Sequence, residues 1–181
     1  MTARLLTLVA LTLTLSAPAA RAATPDDLAL YTKVQDQVLR YAQFSIFDSV
    51  HASIADGVVE LTGKVTMPYK RDAIERRVGQ TPGVRAVRSR ITVLPVSRMD
   101  DQLRLQVARA IYGNVNFWGY GSMANPPIHV IVEHGRLTLE GVVRSNGDRV
   151  IAQSIAASFP TFAFHNELQT EAEVRQALER L

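Results

Sequence analysis

The chain has 181 residues, 47% hydrophobic and 20% charged, the balance of a globular rather than a disordered polypeptide. It has no cysteine, which excludes a disulfide framework and thiolate chemistry. The formal charge of +3 falls to +1 when Arg4 and Arg21 are removed with the leader described next, leaving 18 basic against 17 acidic residues and disfavouring a nucleic-acid partner.

At the N-terminus, Arg4 precedes the uncharged run "LLTLVALTLTL" (5–15), and "SAPAARA" ends in Ala20-Arg21-Ala22. This is the pattern of a secretory signal peptide over residues 1–22, cleaved before Ala23. The run is shorter than the roughly 20 apolar residues of a bilayer span. No cysteine follows it, so a lipoprotein anchor is excluded.

Thr24-Pro25-Asp26-Asp27 supplies an N-cap, a first-turn proline and an acid, and Tyr31, Val34, Val38 and Tyr41 then recur at helical spacing. Val50, Ala52 and Ile54 alternate with polar residues as a strand. Asp56-Gly57 marks a tight hairpin, and Val59, Leu61 and Val65 resume the inward phase. Gly63 takes one inward position, where a side chain would obstruct a packed helix or a bend. A second helix is expected over 68–79 with Ala73, Ile74 and Val78 inward, then a strand carrying Val87, Ile91 and Val93.

After the linker "LPVSRMD" (94–100) the plan starts again. Leu103, Val107 and Ile111 line a helix. Ile128, Val130 and Val132, with Leu137, Leu139 and Val143, form a hairpin. Ile151, Ile155 and Phe159 line another helix, and "FHNELQT" (164–170) is a strand. Residues 50–82 match 128–160 at a constant offset, with His51/His129, Gly57/Gly135, Leu61/Leu139, Gly63/Gly141, Val65/Val143, Arg71/Arg149 and Pro82/Pro160 identical. Thr170 and Glu173 have capping-box spacing, and Val174, Leu178 and Leu181 lie on one stripe of a last helix, which docks on the second unit or on a partner.

The expected fold is α+β: two tandem αββαβ modules, each a small three-stranded mixed sheet covered on one face by two helices, plus a short C-terminal helix. The divisions are 1–22, 23–97, 98–170 and 171–181, and an aromatic insertion (113–127) interrupts the second module.

The strands "DGVVELTGKV" and "HGRLTLEGVV", their paired glycines and the endings "VRAVRSRITV" and "FHNELQT" resemble the BON domain (bacterial OsmY and nodulation) family over residues 28–170. The resemblance implies a periplasmic protein of envelope maintenance and stress response. It implies binding to phospholipid membranes or envelope complexes without catalysis. Gly57, Gly63, Gly135 and Gly141 are its structural hallmarks and mark no ligand site.

The residues carry few chemical alternatives. "GYGSMA" (119–124) fits a loose dinucleotide fingerprint, but Asn125-Pro126-Pro127 and a strand follow it, with no helix N-terminus to hold a pyrophosphate. No cofactor and no small-molecule substrate are expected. His51, His129, His134 and His165 lack ligand spacing, so no metal is expected and a surface role is favoured. Glu60 and Glu140 fall on outward phases and read as solvated. No nucleophile elbow or Ser-His-acid set appears, and no catalytic residue is assigned.

Two features remain for contact with anionic phospholipid or an envelope protein. One is the basic group Lys70, Arg71, Arg76, Arg77, Arg85, Arg88 and Arg90, partly neutralised by an Asp72–Arg76 pair; the bland alternative is a solvated charged edge. The other is Phe117, Trp118 and Tyr120, which either fill the module or present an aromatic tip. A protein-interaction or chaperone-like module is the competing function, with Trp118 and the terminal helix meeting protein.

Overall fold

The computed structural model describes residues 25–178. The expected leader, Thr24 and Leu181 lie outside these residues, as does the side chain of Leu178. The first module runs α1 (Pro25–Leu39), β1 (Ser49–Ala55), β2 (Val58–Val65), α2 (Pro68–Gly79) and β3 (Ala86–Val93). The second runs α3 (Arg98–Tyr112), a 3-10 turn (Val115–Phe117), α4 (Trp118–Gly121), β4 (Ile128–Glu133), β5 (Arg136–Val143), α5 (Asn146–Ala157) and β6 (Ala163–Thr170), followed by α6 (Glu171–Leu178). Each module holds a three-stranded mixed sheet in sequence order, the first pair antiparallel and the second parallel. The α+β tandem expected from the repeat is the fold observed.

The hairpins close on left-handed pairs, Asp56 and Gly57 at φ 50° and 73°, and His134 and Gly135 at φ 52° and 70°, as a two-residue turn matched to strand twist requires. Gly63 and Gly141 have φ of 121° and 120°. A Cβ there would lie 2.2 Å from the Ser49 carbonyl oxygen and 1.9 Å from that of Pro127. The obstruction is therefore the backbone at the incoming end of the neighbouring strand; of the expected alternatives, a packed helix or a bend, it is not a helix.

Each core lies between its sheet and two helices. In the first, Leu30, Val34 and Val38 meet Val59, Leu61, Val65, Ile74 and Val78. Tyr31, expected on this stripe, is exposed, and Leu30 holds the position. In the second, Val107, Ile111, Leu137, Leu139 and Val143 are joined by Ala152 and Ala156, which let α5 approach closely, while Ile151, Ile155 and Phe159 pack at the margin. Helix α3 begins directly after Ser97, whose hydroxyl accepts the Asp100 N–H, so the linker is shorter than expected. The capping box forms as its spacing predicts: Thr170 N–H reaches Glu173 at 2.7 Å, and Glu173 N–H reaches the Thr170 hydroxyl at 3.2 Å. Glu173 also pairs with Arg149 on α5 at 2.9 Å, tying α6 to the second module.

The modules are joined through more than the linker. The segment 44–48 lies along the outer edge of β4, where the Ile46 carbonyl accepts the Val130 N–H at 2.7 Å. Ile46 and Phe47 pack against the second core. Further along, buried Arg104 donates to the Val132 carbonyl at 2.6 Å. Together they cover the polar edge that an unpaired strand would present to another chain.

Candidate functional site

The aromatic insertion is a fixed structure. Its ends are drawn together by Tyr112, whose hydroxyl donates to the Ile128 carbonyl at 2.6 Å and accepts the Ile128 N–H at 3.0 Å. Burial pushes the Tyr112 phenol pKa up, so it stays protonated as a donor. Phe117 and Tyr120 are fully enclosed and stack at 5.8 Å between centroids. The Tyr120 hydroxyl donates to Asp148 at 2.8 Å and accepts the Arg144 N–H at 2.7 Å. The Arg144 guanidinium lies 4.5 Å from the centroid of the same ring, a cation–π contact.

Between these anchors Trp118 is 65% exposed, with Val115 and Met123 exposed on the same short segment. The three aromatics expected to act together thus divide: Phe117 and Tyr120 build the loop, and Trp118 is its tip. The segment 113–127 contains no charged residue, and its exposed apolar side chains are Val115, Trp118 and Met123.

The basic group divides as well. Lys70 is 6% exposed and its ammonium lies 2.6 Å from Asp48, which is fully buried. It is therefore withdrawn from any headgroup. Asp48 also accepts from Thr66 N–H at 2.8 Å and Ser45 N–H at 2.9 Å. Burial works to raise the Asp48 carboxyl pKa, but the Lys70, Thr66 and Ser45 bonds outweigh it and hold the carboxyl below its ordinary value.

Arg71 binds Asp72 at 3.0 Å and approaches Glu75 at 3.9 Å, so Asp72 is taken by its neighbour rather than by Arg76 as its spacing predicts. Arg77 lies over the Tyr41 ring at 5.2 Å, Arg85 donates to the Asp56 carbonyl at 3.1 Å, and Arg90 pairs with Glu60 at 2.8 Å. Arg76 and Arg88 are exposed and make no ion pair among the described residues.

A polar junction between the modules was not legible in the strand pattern. Glu140, read as solvated, is mostly enclosed. Its carboxylate accepts the Ser49 hydroxyl at 2.5 Å and contacts His51 Nε2 at 2.8 Å. Lys64 meets Glu133 at 2.5 Å. The hydrogen bond to Glu140 raises the His51 pKa. Burial pushes the Glu140 carboxyl up, but the His51 and Ser49 bonds prevail and lower it. His129, read as a surface residue, lies 5.6 Å from the Phe44 ring with its Nδ1 buried, and burial lowers its pKa. One signal for this junction stood in the sequence: Ile131 occupies the outward phase of β4 among polar residues, and it is buried.

Among the described residues no group of three or more His, Asp or Glu side chains is arranged to hold a metal. No helix among them is long and apolar enough to cross a membrane.

Two repeated α+β units, clasped through their sheets, with an aromatic loop set into the second, define a tandem α+β module. The family profile of the BON domain matches residues 26–95 and 100–172, and the chain belongs to that family. Domains of this family occur in periplasmic and envelope proteins as membrane- or protein-interaction modules, generally without catalytic activity.

Two solved structures are similar to the chain at a low level. One is the C-terminal domain of CdsD, the structural protein of the type III secretion system of Chlamydia trachomatis, at 13% identity and a TM-score of 0.33, covering 80% of this chain and 66% of that one. A second structure of CdsD gives 14% identity and 0.31, covering 84% and 99%. Among curated proteins, none matches the sequence.

Proposed function

We propose that this protein is a non-catalytic periplasmic component of envelope maintenance, exported through a cleaved leader, that associates reversibly with anionic phospholipid. The observation that carries the proposal is the exposure of Trp118 on a loop whose other two aromatics are locked inside the module. An indole favours the membrane interface, where its apolar body enters lipid while the N–H stays wet. Tyr112, Phe117 and Tyr120 already fix the loop, so little conformational entropy is lost when the tip docks. Arg144, exposed beside the tip, adds a cation at headgroup depth. Exposed Arg76 and Arg88 on the first module are further headgroup contacts, each worth about 1 kcal/mol when held near an anionic surface.

Flotation with vesicles of phosphatidylglycerol, cardiolipin or phosphatidylcholine tests this. Binding to the two anionic compositions and not to phosphatidylcholine is expected, with Trp118→Ala losing most of it and Arg144→Gln a smaller part. Failure to bind either anionic composition overturns the lipid proposal. If the chain ignores vesicles but crosslinks to one envelope protein through Trp118, the protein-interaction function replaces it.

A further inference from the structure

The second module has another apolar end that lipid binding at Trp118 leaves unused. Helix α3 spans 15 residues, about 22 Å at 1.5 Å per residue, and separates the aromatic loop from the β4–β5 turn. At the turn end a groove of about 600 Å³ opens between Met99, Leu103, Gln106, His134, Pro160 and Phe162. Its rim is unusually bare for a soluble surface: Phe162 is 89% exposed, Met99 80% and neighbouring Val96 99%.

The groove contains one acidic side chain, Asp100, and its carboxylate is already used, accepting the His134 and Gly135 N–H groups at 2.9 Å each. The first module does not offer the same surface. Arg85 stands where Phe162 stands in the second copy: each donates its backbone N–H to the hairpin glycine, Arg85 to Gly57 at 2.8 Å and Phe162 to Gly135 at 2.9 Å.

We infer that this groove receives the Trp118 tip of a second copy of the chain, so that copies join head to tail. The two surfaces match in chemistry. The tip carries Trp118, Val115 and Met123 on a segment without charge, the groove binds its single carboxylate internally, and Arg144 beside the tip already has Asp148 at 3.9 Å and the Tyr120 ring, so closing one on the other leaves no ion without a partner. They match in size, because the volume lies within the range of about 300–1,000 Å³ that encloses a compact apolar group. They also lie at opposite ends of one helix, too far apart for one copy to close on itself; joined head to tail, each copy keeps a free tip and a free groove. Two apolar ends that water covers poorly in the single copy are then hidden at each junction. The area is small, so the association is weak and concentration-dependent. Lipid and groove compete for the same indole.

The inference does not depend on lipid binding, and sedimentation velocity over a concentration series separates the two. The unmodified chain is expected to sediment faster as concentration rises. Trp118→Ser and Phe162→Ser each remove one half of the contact at an exposed position, and each is expected to weaken association about tenfold or more. Mixed together, they retain one intact tip and one intact groove, and the mixture is expected to associate again but to stop at pairs. In flotation, Phe162→Ser keeps its vesicle binding while Trp118→Ser loses it. A chain that stays monomeric throughout, or a mixture that fails to associate, overturns the head-to-tail contact. So does a Phe162→Ser variant that loses vesicle binding, which makes the groove a lipid surface instead.

Discussion

In the first module the corner between β2 and α2 closes on Asp48, which takes the Thr66 N–H at 2.8 Å and the Lys70 ammonium at 2.6 Å. In the second, the corresponding positions 78 residues on are Arg144 and Asp148, and the corner closes on Tyr120, which takes the Arg144 N–H at 2.7 Å and donates to Asp148 at 2.8 Å. One fold thus holds the same joint with a buried ion pair in one copy and a phenol in the other. The insertion 113–127 is what brings the phenol to the joint. The aromatic loop is therefore a structural replacement for a carboxylate, and its tryptophan is the one aromatic of the three left exposed.

The comparison breaks most visibly at Asp48. Asp48→Ala leaves the Lys70 ammonium buried without a counter-ion and is expected to cost about 3–5 kcal/mol in urea unfolding, and Asp48→Ala with Lys70→Met is expected to recover much of the loss. In the second module Tyr120→Phe keeps the packed ring but leaves Asp148 and the Arg144 N–H unsatisfied, an expected cost of about 1–3 kcal/mol by the same measurement. Equal losses from the two substitutions would mean that the joints are not distinct in kind.

The junction between the modules is the next test, through pH. The raised His51 pKa means that its contribution is fully present below the unfolded value of 6.5 and is lost as pH rises through the folded value. The lowered His129 pKa has the opposite sign: its contribution is complete above 6.5 and declines as pH falls toward the folded value. His51→Gln should therefore destabilise on the acidic side of neutrality and become neutral in mild alkali. Because His51 is largely exposed, the effect is about 0.2–1 kcal/mol. Melting curves across that range read it, and His129→Phe is expected to remove the acid-side loss. The smallest stability effect is expected for Trp118→Ala, within about 0.5 kcal/mol for an exposed side chain, while its large effect is expected in flotation.

The repeat, the hairpins and the helix faces were legible because each rests on local periodicity and on glycines at two-residue turns. The charge of Lys70 suggests exposure, but its position in α2 is buried. It lies four and eight residues before Ile74 and Val78, on the buried stripe of α2, and that spacing was the available signal. Glu140 and His51 were not legible, since an outward strand phase says nothing of what another module brings against it. Trp118 could be separated from Phe117 and Tyr120 only once the short helix of the loop gave each residue a direction.

The bond from Val130 N–H to the Ile46 carbonyl has a consequence for the order of events in the cell. The residues that cover β4, with Ile46 and Phe47 seated against the second core, precede that core in the chain. During synthesis the N-terminal unit leads and folds first. When β4 emerges, its shelter is already in place, so a strand that would template pairing between chains meets its own protein first. A rearranged gene that placed the second unit ahead of the first would lose this timing, and its expected cost is aggregation during folding.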